Sequence, residues 1–115
     1  MTSQDLDPED AKIVTLARAT RSRAGSPQGA AVRDTTGRTY TAATVALPSL
    51  RLSALRLAVA MAVSSGAEGL EAAALVSEQV HVDDQDVAAV RDLGGAGIPV
   101  LLAGTDGTVA ETHST

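Results

Sequence analysis

His81, Asp83, Asp84 and Asp86 place one imidazole and three carboxylates within a single turn and a half of chain, donor types that can hold a divalent metal ion. The same residues also fit a plainer role. An aspartate that caps a helix, followed by acids in the first turn, satisfies free backbone N–H groups and the positive end of the helix dipole. The capping role is the expected one here, and the metal is not expected. Ser53 has the hydroxyl of a nucleophile, but no histidine stands in a motif-like relation to activate it. It is expected to cap a helix or face solvent. "GGAG" at 94–97 follows a helix and precedes a strand, the reverse of a phosphate-binding loop, and is read as a connector. Arg18, Arg21 and Arg23 form a basic cluster whose default is a solvated helix face. His113 is assigned nothing.

Composition narrows the remaining classes. The chain has 115 residues, enough for one core. Apolar residues make up 44% of it, yet Phe and Trp are absent and Tyr40 is the single aromatic. The core must be built of Ala, Val, Leu and Ile, which fill space only when backbones approach closely. A net charge of −5 argues against nucleic acid as a partner. Without cysteine there is no disulfide and no thiolate zinc site. The longest apolar run, Leu57 to Val63, is too short to span a bilayer, and no signal peptide is evident. A cytoplasmic location without membrane contact is expected. Lys12 is the only lysine, and with so much alanine the usage suggests a GC-rich bacterial genome.

The elements that would position these residues follow in order. Residues 1–6 are expected to be disordered and 7–115 to form a single domain. "DPED" starts a helix, with Asp7 as N-cap and Pro8 in the first turn. Ile13, Leu16, Ala17 and Ala24 share one face of it, and "AGSP" stops it. "GAAVRDTTGRTYTAATVA" is a β-hairpin turning at Gly37. "LPSLRLSALRLAVAMAVSSG" at 47–66 reads as a helix beginning at Pro48 and Ser49, apolar almost all round. One stripe holds Leu50, Ala54, Leu57, Ala58 and Met61; Leu52, Leu55, Val59, Ala62 and Val63 spread over the rest. Such a helix needs a second partner besides the sheet, either neighbouring helices or another subunit, and a homo-oligomer, dimer or tetramer, is the favoured expectation. "LEAAALVS" is a strand buried on both faces, "DDQDVAAVRDLGG" a helix capped by Asp83 or Asp84, "IPVLLAG" another strand, and "TDGTVAE" a turn into an edge strand. The order α-β-β-α-β-α-β-β implies a mixed five-stranded sheet in a three-layer α/β/α sandwich.

From Asp10 to Glu111 this arrangement resembles the small zinc-dependent cytidine deaminases. The likeness rests on the glycine-led hairpin "GAAVRDTTGRTYTAATVA" and on "LSALRLAVAMAVSSG", which is similar to that family's C-A-E-R-x-A-I helix. "DDQDVAAVRDLG" resembles its P-C-x-x-C-R-Q-x-x-x-E-F-G segment, and "IPVLLAGTDGTV" its closing strands. The resemblance implies a zinc ion held by cysteines, or by a histidine and cysteines, and a glutamate that shuttles protons.

Carried over by position, the first zinc ligand is Ser53, the glutamate is Leu55, and the remaining ligands are Asp83 and Asp86, with Val82 in place of the proline. A serine hydroxyl keeps its proton near neutrality, and leucine moves none, so neither the metal-bound hydroxide nor the acid–base step is available. The ribose-binding N-x-E pattern reads Thr44-Val45-Ala46, and the aromatic before the first strand is near Ser26. Tyr40 alone could stack on a base. Arg56 persists beside the lost glutamate and is expected to pair with Asp83 and Asp86, an ion pair in place of the metal. On this basis the chain is expected to be a pseudoenzyme, not an enzyme and without cofactor, with a structural or regulatory role towards an unknown protein partner. The alternatives are a nucleoside- or nucleotide-binding module and a residual cytidine deaminase.

Overall fold

The computed structural model describes residues 6–115. Of the stretch 1–6 expected to be disordered, residues 1–5 lie outside the described residues, and Leu6 packs against the core. Helix α1 spans Pro8–Ala24; Asp7 caps it, its carboxylate accepting the Glu9 N–H at 2.8 Å, and Pro8 occupies the first turn. Its buried face is Ile13, Val14, Ala17 and Thr20. Ala24, expected on that face, is the last residue of the helix before the Gly25 cap and is exposed.

Strands β1 (Gly29–Asp34) and β2 (Thr39–Ala43) form the hairpin, with Gly37 at φ +89° in the turn. Gly29 leads it for a steric reason: a Cβ there would collide with the Ala17 carbonyl of α1. β5 (Leu70–Val76), α3 (Asp84–Gly94), β6 (Pro99–Ala103) and β7 (Val109–Ser114) complete the main sheet, whose order is β2-β1-β5-β6-β7. β5 and β6 are parallel, joined by the α3 crossover, and all other pairs are antiparallel. Ile13, Val14 and Ala17 of α1 cover one face, against Ala72, Ala74, Val76 and Leu101. Helix α2 (Ala54–Ser64) and α3 cover the other, against Val32, Ala73, Leu75, Val100 and Leu102. The expected three-layer sandwich with a mixed five-stranded sheet is present. The alanines of β5 let helices settle closely on both sides.

One segment folds differently from its pattern. Residues 47–52 are not the first turns of a helix. They belong to a second hairpin, β3 (Val45–Leu47) and β4 (Leu50–Leu52), turning at Pro48 and Ser49. Ser53 then caps α2, which starts at Ala54. The proline expected to open a helix instead supplies the fixed φ of a tight turn, and Val45 to Leu52 pair as short strands. Leu50 is therefore not on a helical stripe and is half exposed. The buried face of α2 is Ala54, Leu55, Ala58, Val59 and Ala62, while Met61 and Val63 face outward.

Candidate functional site

The parallel strands β5 and β6 end side by side at Val76 and Ala103, where the Ser77 N–H reaches the Ala103 carbonyl at 3.1 Å. In an open sheet, ligands collect beyond such carboxyl ends. β1 starts and β2 ends at the same rim, since Gly29 pairs with both Val76 and Ala43. The N-termini of α2 and α3 point to it as well.

Two neighbouring cavities occupy this rim. One of about 320 Å³ is lined by Arg21, Gln28, Thr44, Ser77, Glu78 and Gln79. A smaller one of about 110 Å³ lies between the helix starts, walled by Gln28, Gln79, Gln85, Arg56 and Asp86. Gln28 and Gln79 belong to both and are bonded to each other, Nε2 to Oε1, at 3.0 Å. Gln28 also accepts the Ala54 N–H at 3.4 Å, which helps cap α2. A third cavity of about 630 Å³ opens on the other side of the 77–80 loop, between the ends of β6 and β7.

The centre of the rim is Asp86. It is buried, although it stands in the first turn of α3. Its Oδ1 accepts the Ser53 hydroxyl at 2.6 Å, and the Arg56 Nε lies 3.6 Å from the same oxygen. Its Oδ2 is buried without a partner. Burial holds the carboxyl above its ordinary pKa, and the charge of Asp83 adds to this; the Ser53 hydrogen bond and the Arg56 charge oppose it without prevailing. Ser53 is the N-cap of α2. Its Oγ accepts the Arg56 backbone N–H and the Arg56 Nε, each at 3.2 Å, while its proton goes to Asp86. A hydroxyl with both lone pairs engaged is a structural hub and a poor nucleophile.

The other expected residues divide. Asp83 does not join the Arg56 pair; its carboxylate caps α3, accepting the Gln85 N–H at 2.8 Å, so local backbone capping outcompetes a distant guanidinium. Leu55 has left the site entirely and is fully buried in the core beneath α2. Asp84 is an exposed first-turn acid, and His81 is exposed, its Nδ1 3.4 Å from Glu111. Ser26 and Thr44 do meet: the Ser26 Oγ accepts the Thr44 N–H at 3.1 Å. The Thr44 hydroxyl is buried and unpaired in the wall of the 320 Å³ cavity. Val45 and Ala46 lie in β3.

Tyr40 is at the far end of the sheet. It stands next to the hairpin turn and donates to the Asp34 Oδ2 at 2.9 Å, so it stacks on nothing at the rim. Gln28, Gln79 and Ser77 were missed from the sequence. The usable signal was positional, in the loop that leaves the carboxyl end of a buried parallel strand.

The zinc ion implied by the resemblance does not fit these donors. Asp86 Oδ1 is engaged by Ser53, Asp83 is engaged by its own helix, and a guanidinium brings positive charge to the place a cation would take. Among the described residues no group of three or more His, Asp or Glu is placed to hold a metal ion. No helix among them is long and apolar enough to cross a membrane.

Comparison with known proteins gives three results. Residues 6–107 match the family described as "Cytidine deaminase-like". Among solved structures, cytidine deaminase from Burkholderia pseudomallei superposes with a TM-score of 0.75 at 21% identity, covering 90% of this chain and 89% of that one. Cytidine deaminase from Mycobacterium leprae gives 0.72 at 19% identity, with 90% of each chain covered. A mutant cytidine deaminase from Mycobacterium tuberculosis gives 0.68 at 24%, covering 84% of this chain and 85% of that one. No curated protein sequence matches. At these identities the superpositions establish the fold. All three structures are enzymes by name, and this overturns the expectation that the chain is not an enzyme.

Proposed function

Since the chain belongs to the cytidine deaminase-like family, we propose that it binds a pyrimidine-nucleoside-type ligand at the rim formed by the carboxyl ends of β5 and β6. The observation that carries this reading is the adjoining pair of polar cavities that share Gln28 and Gln79. The larger, at about 320 Å³, falls at the lower end of the volumes that hold small ligands. Carboxamides present a donor and an acceptor side by side, the pattern that a pyrimidine edge offers in return. Thr44 and Asp86 stand in the walls of these cavities, and each carries a buried polar atom without a partner, the Thr44 hydroxyl and the Asp86 Oδ2. The names of the superposed enzymes supply the substrate class.

The test is thermal denaturation of the native chain with cytidine, uridine or ribose, each at millimolar concentration. Cytidine or uridine is expected to raise Tm and ribose alone is not, and the rise should vanish in Gln79→Leu. A Tm that no nucleoside moves would refute the reading. Ammonia release followed in the same samples, with chelator present, reports whether binding leads to deamination.

Self-association is proposed on separate grounds. Leu47 and Leu50 of the second hairpin and Met61 and Val63 of α2 are exposed apolar side chains. Their burial against a second copy would give the outer side of α2 the partner it lacks in one chain. Light scattering at micromolar concentration should give at least a dimer, and Met61→Glu should weaken it.

A further inference from the structure

The zinc position implied by the family does not fit a metal, and its surroundings are nevertheless not disordered. Two helix N-termini, of eleven residues each, converge on a buried carboxylate that one of them supplies from its first turn. In an ordinary helix start such a carboxylate would face water. Here it reaches across to the other helix and takes the Ser53 hydroxyl at 2.6 Å. Ser53 in turn holds the first turn of its own helix, through the Arg56 N–H, and the Arg56 Nε. One hydroxyl therefore closes a chain of bonds running from the backbone of α2, through Ser53, to the side chain of α3, with a cation against its outer side.

We infer that the Ser53–Asp86–Arg56 bridge performs the structural task of the missing metal, tying the start of α2 to the start of α3, and that this fold stands without zinc. The charge logic agrees. A metal site brings a dication to anionic ligands, and its binding energy is folding energy. Here a single guanidinium faces a single carboxylate, and the rest of the tie is hydrogen bonding and dipole alignment. Asp83, the third inherited ligand position, is free to cap its own helix because no ion needs it. This inference does not rest on nucleoside binding, and its tests read stability and metal content alone.

The native full chain is purified without added metal, and its zinc is measured by plasma mass spectrometry. Far less than one zinc per chain is expected, with the same Tm in chelator as in buffer. Stoichiometric zinc whose removal lowers Tm would overturn the inference. Ser53→Ala, Asp86→Ala and the double variant are then compared. Each single change should lower Tm, and the double should fall no further than the worse single, because both remove the same bond. Fully additive losses would also overturn it. Finally, Ser53→Cys, Asp83→Cys and Asp86→Cys combined, folded in the presence of zinc, should take up one ion per chain and become sensitive to chelator. A folded triple variant that takes up none would mean that the bridge and the metal position are different places.

Discussion

Two aspartates, equally buried at opposite ends of the same sheet, behave in opposite ways. Asp34 closes the β1–β2 turn. Its Oδ1 accepts the Thr36 N–H, the Thr36 hydroxyl and the Arg38 N–H, all within 2.9 Å, and its Oδ2 accepts the Tyr40 hydroxyl. The Thr36 hydroxyl, first among these donors, draws its pKa below the ordinary 3.8. Asp86 has one hydroxyl, one guanidinium at a longer distance, and an oxygen with nothing. Its pKa lies above 3.8. Desolvation prevails at Asp86, where few donors are aimed at the carboxylate, and the donors prevail at Asp34, where there are four. The saturated site is a turn device. The unsaturated one ties two helix starts together at the rim.

The largest expected effect comes from the saturated end. Asp34→Ala removes the acceptor of two backbone N–H groups and of the Thr36 and Tyr40 hydroxyls, and Tm should fall on the order of 10 °C. A loss no larger than that of Asp86→Ala would erase the contrast. At the rim, Ser53→Ala removes an N-cap and a partner of Asp86 and should cost about 1–2 kcal/mol in chemical denaturation. Arg56→Ala should cost about 1 kcal/mol, less than the breaking of a buried pair, because its side chain is 37% exposed and solvent screens it.

Protonation sharpens the comparison further. Asp34, with its depressed folded pKa, contributes stability that is present above the unfolded value and lost as pH falls through the folded one. Asp86, with a raised folded pKa, contributes stability that is full below the unfolded value and lost as pH rises through the folded one. Carboxyl chemical shifts followed by NMR should place the two midpoints on opposite sides of 3.8. The smallest effect is Asp86→Asn, which keeps an acceptor for Ser53 and removes the desolvated charge. Its Tm at pH 7 should stay level or rise, and a fall comparable to that of Asp86→Ala would show that the charge itself holds the helices.

Local chemistry made much of this legible in advance. Asp7 before Pro8, Gly37 in its turn and Asp83 before an acidic first turn act within a few residues, and each stands where its type required. The stretch 47–52 failed for the same reason of locality. Leu47, Leu50 and Leu52 fit a helical stripe as well as a short hairpin, and the choice falls to Ser53, whose cap fixes the helix start one residue later. Gln28 and Gln79 carry no local signal at all; they are 51 residues apart and meet only because β1 and β5 pair.

The sequence by itself determined the order of the three helices and the five strands of the main sheet, and its alanine-lined layers, since these depend on residue type and on spacing along the chain. Tertiary structure alone decided which of two neighbouring aspartates reaches Arg56, that Leu55 sinks into the core, and that Tyr40 stands at the opposite end of the sheet from Asp86. Those outcomes turn on which direction a side chain leaves its helix or strand and on what already claims its oxygens, and pairing between distant segments fixes both.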